Sequence, residues 1–390
     1  MNENEFGKLA ASTAQKLSIS RFLTKEYLHQ LYQESDGHPY VAKVLLGEVA
    51  KSGKLLGVER IIATKDDLLN ALFERTYSGL SPIAQKVFLT LCSWRSVIPQ
   101  IAVEAVLLRS ADERVDIAEA VEELQRSSFI EAIPSADEKE IFLSVPLVAA
   151  VFGGRKLAVS PLKTLIEDDV VILRMFGATQ QTGISHGLAP RINKMFSEVA
   201  NKVNQNSSVL ENYVPILEFV ARKYPRAWIL LADLYEETDL DDRLLKSKSS
   251  ISRYLEAPED NLDAQEEAWE KLVLLCRQTD DHVGEAQALL EKSKLPDISF
   301  IQISDSANRL NALFKTTYAW DTIERQSFAK KMIEIMLQHS NEAKATDYSR
   351  IAWLFIHLKD PNAALYYARK GLDLETDNLH CINLVDRLTA

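Results

Sequence analysis

Within this 390-residue chain, the stretch nearest to a phosphate-cradling loop is Gly47 through Gly53-Lys54-Leu55. Backbone N–H groups wrap phosphate when the spacing is G-x-x-x-x-G-K-[ST] between a strand and a helix. Here the spacing has one residue too many, and Leu55 stands where a magnesium-binding hydroxyl is needed. The stretch also follows a helical run, whose C-terminal dipole repels anions, so it reads as a helix end. No strand with a terminal carboxylate pair precedes it, and ATP hydrolysis within these residues is not expected. The sequence has no G-x-S-x-G elbow, HExxH helix, CxxC pair or dinucleotide-binding glycine loop. His29, His38, His186, His282, His339, His357 and His380 are dispersed with no i,i+4 pair, and no metal site is expected. His186 reads as a surface residue in a loop. Cys92, Cys276 and Cys381 are odd in number and far apart, which fits thiols in a reducing cytosol better than disulfides or zinc ligation.

Composition excludes further classes. The net charge is -11, and Val209 to Phe300 holds 20 acidic against 11 basic residues, so most of the excess lies there. A surface of that sign repels phosphate backbones, and nucleic acid is not an expected partner. The start, Met1-Asn2-Glu3-Asn4-Glu5-Phe6, is acidic and lacks the apolar core of a signal peptide. Val145 to Phe152, the longest apolar run, is too short to cross a bilayer. A cytoplasmic protein without membrane contact is expected. With 46% hydrophobic residues, the chain can bury two or three cores.

The elements that would position any site are helical. Asp36-Gly37-His38-Pro39 punctuates the first of them: Gly37 can take the left-handed backbone that ends a helix, and Pro39 is preset for a first helical turn. Before it, Ala10 to Leu17 and a helix capped by Thr24 are expected. After it, Thr64 opens a helix that Gly79 closes, Ser81-Pro82 starts another through Leu91, and Pro99 to Leu108 forms the next. Ile117, Val121 and Leu124 stripe a third helix of this group, ending at Arg126. The period then switches to alternation in Phe129 to Ile133 and Glu140 to Ser144, around a polar tip at residues 134–138. Three helices followed by a hairpin is the order of a winged helix. Its third helix carries Asp116, Glu119, Glu122 and Glu123 against Arg126, the wrong sign for a major groove. Further on, Ser160-Pro161 starts a helix ending at Gly177, residues 178–189 form a loop with Gly183 and Gly187, and Pro190 to Val203 and Val209 to Lys223 are amphipathic helices.

Gly37-His38-Pro39 resembles the glycine-x-proline motif of the helical subdomain behind the nucleotide-binding fold of NB-ARC and related STAND ATPases. Glu5-Phe6-Gly7-Lys8-Leu9 sits where that family leaves its P-loop domain and enters the subdomain. The resemblance implies that Pro39 lies against adenine, with Gly37 and His38 as its setting, and that ATP or ADP is shared with a P-loop domain outside these residues. It also implies that the winged helix regulates nucleotide exchange instead of reading DNA. One departure stands at Ser144-Val145-Pro146-Leu147-Val148, where the family carries a histidine that holds the β-phosphate of ADP. Val145 occupies that place and has no hydrogen-bond donor in its side chain.

The C-terminal half reads as tetratricopeptide-like repeats. Trp228 to Tyr235 has the pattern of a helix A, with Ser250, Tyr254 and Ala257 on its helix B. A second unit starts at Trp269 and runs through Cys276 to Leu290, and a third covers Ala307 to Met336. The last is clearest, with Tyr348, Ile351, Ala352 and Phe355 facing Ala364, Ala368 and Gly371. Such repeats stack into an array with a concave face. Asp233, Glu236, Glu237, Arg277, Trp353 and His357 are the residues expected on it, to capture a protein or peptide of basic character.

The expected fold is thus mainly α: a helical subdomain over 1–63, a winged helix over 64–157, linker helices over 158–224 and a repeat array over 225–390. The resemblance implies a switch in which a protein trigger bound by the array frees the winged helix from the nucleotide-binding domain, ADP gives way to ATP, and copies of the chain assemble. Family members serve in signalling and in immunity, including defence against phage. The alternative is a free-standing repeat scaffold or adaptor whose winged helix binds no DNA.

Overall fold

A computed structural model of the protein describes residues 1–35, 37–55, 65–94, 96–107, 116–135, 140–177, 187–257, 262–315 and 321–389. Asp36, the Thr64 cap, the hairpin tip at 136–139, and Gly183 with His186 lie outside them. The chain is mainly helical, as expected, and divides into two compact units, Met1–Lys223 and Tyr224–Ala390.

The first unit opens with α1 (Glu3–Lys16), which starts seven residues before the expected Ala10. The reason is a capping box: Asn2 Oδ1 accepts from the Glu5 N–H at 2.8 Å while Glu5 Oε2 accepts from the Asn2 N–H. Phe6, Ala10 and Ala14 form its buried face. Next come α2 (Lys25–Glu34), capped by Thr24 as expected, α3 (Pro39–Ser52), α4 (Lys65–Ser78) and α5 (Pro82–Trp94). The near-P-loop is indeed a helix end, since α3 terminates at Gly53 with φ of +66°. Ser81 Oγ accepts from the Ala84 N–H at 3.2 Å and so starts α5.

The winged-helix region departs from the expectation at its edge. Pro99 does not begin a helix. Instead Ile98–Pro99 forms strand β1, and the helix, α6, covers Gln100–Leu107. After α7 (Ile117–Arg126) come β2 (Glu131–Pro134) and β3 (Ile141–Ser144), giving a three-stranded antiparallel sheet of order β1-β3-β2 instead of a bare hairpin. Ile98 pairs with Leu143 and Ile133 with Phe142. This pairing partner lies more than 40 residues downstream, and local pattern cannot display it.

The apolar run at Val145 to Phe152 becomes α8 (Leu147–Ala158), a helix the sequence reading did not separate. Then α9 (Lys163–Leu173), starting after Ser160-Pro161, a 3-10 turn over Arg174–Phe176 and Gly177 at φ +79° close this stretch. Following α10 (Ala189–Val203), the helix expected over 209–223 is split into a 3-10 segment, Ser207–Asn212, and α11 (Val214–Lys223). Pro215 has no N–H to bond back across the break.

The core of this unit is aromatic. Phe73 stacks on Phe152 with centroids 5.1 Å apart, Phe88 meets Phe129 edge-on at 4.5 Å, and Tyr40 closes on Phe73 at 5.5 Å. These rings join α3, α4, α5 and α8 to the approach to β2. Each fully buried phenylalanine contributes about 2–3 kcal/mol of transfer free energy. A Cβ on Gly153 would stand 2.2 Å from Cys92 Sγ, so α8 and α5 touch because position 153 is glycine.

The second unit is a run of helix pairs: α12 (Ala227–Glu236) with α13 (Arg243–Glu256), α14 (Leu262–Gln278) with α15 (His282–Lys292), α16 (Phe300–Lys315) with α17 (Thr322–Gln338), and α18 (Ala345–His357) with α19 (Pro361–Leu374). A final helix, α20 (Leu379–Thr389), covers the last pair. The small residues fall where the repeat pattern puts them. Ala352 and Ala368 are both 0% exposed in one core cluster, and a Cβ on Gly371 would lie 2.5 Å from Cys381 Sγ.

Candidate functional site

Gly37 takes φ of +66°, and its N–H donates to the Tyr32 carbonyl at 3.0 Å, which ends α2. His38 caps α3 by accepting from the Val41 N–H at Nδ1, 3.4 Å away, and Pro39 occupies the first helical position. Gly37 is buried beneath Tyr32 and Met1, whereas His38 is exposed and Pro39 half-buried. The corner thus presents one imidazole edge and one pyrrolidine face at the surface. Helix α3 fastens it to the winged helix: the Tyr40 hydroxyl donates to the Ser128 carbonyl, and a Cβ on Gly47 would lie 2.5 Å from the Arg126 carbonyl oxygen. Beside α3 a groove of about 710 Å³ runs between α1, α7 and β2. Its lining includes Tyr40 and Lys43 but none of the three corner residues. Lys43 and Arg126 in that lining pair with Glu131 at 3.4 Å and Glu122 at 2.7 Å.

Val145 is half-buried between β3 and α8. The start of α8 next to it leaves Leu147 80% and Val151 54% exposed, an apolar face with no cover among the described residues.

The residues expected on the concave face fall into separate networks. Asp233 and Glu236 on α12 both pair with Lys271 on α14, the latter at 2.9 Å, and Ser247 donates to Glu236 at 2.8 Å. Burial alone would lower the proton affinity of Lys271, but Asp233 and Glu236 outweigh it and hold the ammonium above its ordinary range. Glu237 is exposed beside them. Arg277 belongs to a different knot, centred on Glu285, a carboxylate with 0% exposure. Arg277 Nε donates to it at 3.1 Å, and Arg309 reaches both oxygens, at 2.7 and 3.0 Å. Here two arginines from α14 and α16 clasp one acid from α15.

Trp353 and His357 are together on α18, with ring centroids 6.5 Å apart. Lys315 Nζ lies 3.9 Å above the Trp353 ring and Arg387 Cζ 5.1 Å from the same ring. Burial, then the charges of Arg325 and Lys315, push His357 down to about 4, so it is neutral near pH 7. Lys271, Glu285, Arg309, Lys315, Arg325 and Arg387 were missed by sequence reading. They lie scattered along the helices, and no local spacing joins them to their partners.

Burial pushes the Cys276 thiol up to about 11, so it stays protonated at neutral pH and is a poor nucleophile. Among the described residues no group of three His, Cys, Asp or Glu side chains is placed to hold a metal ion, and no helix is long and apolar enough to cross a membrane. No protein-family model matches this chain, and no curated protein matches it in sequence.

Proposed function

We propose that this chain is the regulatory and sensing portion of a STAND-type NTPase switch, acting in the cytoplasm in signalling or defence. Its repeats take a protein trigger, and its first unit works against a P-loop domain supplied in cis or in trans. The observation that carries this reading is the Gly37-His38-Pro39 corner, built as a buried left-handed glycine followed by a surface-facing proline, on a helix bonded directly to a winged helix. A half-exposed proline ring beside an exposed imidazole suits the face of a purine. The uncovered apolar start of α8, Leu147 and Val151, supports docking of another domain at the Val145 position. Phosphate contacts belong to the P-loop partner, because Val145 offers none.

Helix α7 supports regulation over DNA reading. Its Asp116 caps the helix at 2.9 Å, Glu123 accepts from Ser81 Oγ at 2.7 Å, and Arg126 is paired with Glu122. The trigger shifts the switch only by binding one state better than the other. The test is nucleotide released by acid from protein purified from its native source, with the assembly state measured by light scattering. ADP at about one per chain in the resting form, reduced by Pro39→Ala, is the expected result.

The scaffold reading has one observation in its favour: Asp233, Glu236 and Arg277 are already tied to other side chains of the array. Native protein that carries no nucleotide and does not assemble would decide for it.

A further inference from the structure

The two ends of the repeat region differ in charge. Residues 224–300 hold 18 acidic against 9 basic residues, whereas residues 301–390 hold 11 of each. Many of the charges there are paired, as Arg350 is with Asp305 at 3.1 Å and Arg309 with Glu285. Lys315, Arg325 and Arg387 make no ion pair with any described carboxylate.

Two of these cations, Lys315 and Arg387, lie over Trp353, and the third, Arg325, acts with Lys315 on the neighbouring His357 to hold its proton off. Arg325 Nε and His357 Nε2 are both shut from water without a hydrogen-bond partner. Arg325 Nε is thus closed to an incoming anion and adds field only, whereas Lys315 and Arg387 are exposed and can meet one directly. With His357 neutral, the positive charge comes from ammonium and guanidinium groups on three different helices, α16, α17 and α20.

We propose that this cluster is the docking point for a carboxylate-rich segment of the protein bound by the repeats, an inference that rests on reading the repeats as a protein-binding array. Guanidinium forks match carboxylates in two-point geometry, and stacking on Trp353 holds the Lys315 and Arg387 head groups in place to receive them. A long polyanion is disfavoured, because the acidic residues of 224–300 in the same unit would repel whatever extended past the cluster. The sign is opposite to that suggested by Asp233 and Glu236, whose charge Lys271 already offsets.

The experiment is fluorescence anisotropy of fluorescein-labelled hexaglutamate titrated with the full chain at about 0.15 M salt. Saturable binding is expected, weakened roughly tenfold or more by the double variant Lys315→Gln/Arg325→Gln and also weakened by Arg387→Gln. Lys271→Gln should leave it unchanged, and unlabelled hexalysine should not compete. Circular dichroism establishes that each variant is folded. The proposal is overturned by absence of saturable binding, by undiminished binding to the folded double variant, or by displacement of the peptide by an equimolar oligothymidylate. Hexaglutamate binding, with protein from the native source carrying no nucleotide and not assembling, would sink the switch and leave this site standing. Bound nucleotide without hexaglutamate binding would do the reverse.

Discussion

The most consequential single side chains in the repeats are ones that bond to each other. Glu285 has no solvent exposure, and both arginines that clasp it come from other helices. Removing the acid leaves two partly exposed guanidinium groups, 46% and 36% exposed, repelling each other without their shared carboxylate. Glu285→Ala is therefore expected to destabilise the chain by about 1–2 kcal/mol after allowing for solvent screening of the arginines, read as a lowered urea midpoint, with Glu285→Gln costing less. His357 provides a pH signature. Its folded-state proton affinity sits at about 4, below the ordinary value of 6.5, because of burial and the cations Arg325 and Lys315. Between those two values the unfolded chain takes up a proton that the folded chain refuses. Its contribution is complete above pH 6.5 and is lost as the pH falls to about 4. Allowing for partial solvent screening, about 1–2 kcal/mol should disappear over that window. Urea midpoints at both ends of the window should show His357→Gln losing less than the unsubstituted chain.

Among the elements, α3 does the joining in the first unit, and its glycines have unlike jobs. Gly53 sits at φ +66° with open space where a Cβ would go, so Gly53→Ala meets backbone strain alone, about 1 kcal/mol. Gly47 has ordinary helical backbone but lies against α7, where a Cβ would be 2.5 Å from the Arg126 carbonyl. Gly47→Ala must push α3 off the winged helix and is expected to cost about 2–3 kcal/mol. Denaturant midpoints of the two variants should fall in that order. A larger loss at Gly53 would mean that the α3–α7 contact is softer than described. The capping pattern Asn2-Glu3-Asn4-Glu5 was legible in the chain and could have set the start of α1. Strand β1 could not, since two residues have no period and Pro99 favours a helix start as readily as an edge strand.

For the chain as a whole, the division at Lys223 and Tyr224 separates two cores of different kinds, one aromatic and clustered, the other spread along helix pairs. Each repeat buries its apolar face against its neighbours, so the second unit carries its own stability. Residues 224–389, expressed alone, should be helical and melt cooperatively, and Glu285→Ala should cost the same there as in the full chain. A disordered fragment, or a different cost, would show that the repeats depend on the first unit. The proposed trigger site at Trp353 and the proposed nucleotide contact at Pro39 lie in separate units, so the switch proposal requires the two units to be coupled.

What the chain of residues establishes unaided is local: the left-handed glycine before Pro39, the Thr24 and Ser81 caps, the stripe of Ile117, Val121 and Leu124, and the small residues Ala352, Ala368 and Gly371 at a helix crossing. Each depends on backbone preference or on a helical period, which neighbouring residues carry within a few positions. Which charges meet was settled only by packing. Lys271 finds Asp233 and Glu236, Arg309 finds Glu285, Lys315 and Arg387 gather over Trp353, and Arg325 acts on His357. Long charged side chains reach across helix pairs whose separation in sequence varies from repeat to repeat, so their partners are chosen by the stacking of helices and by no spacing along the chain.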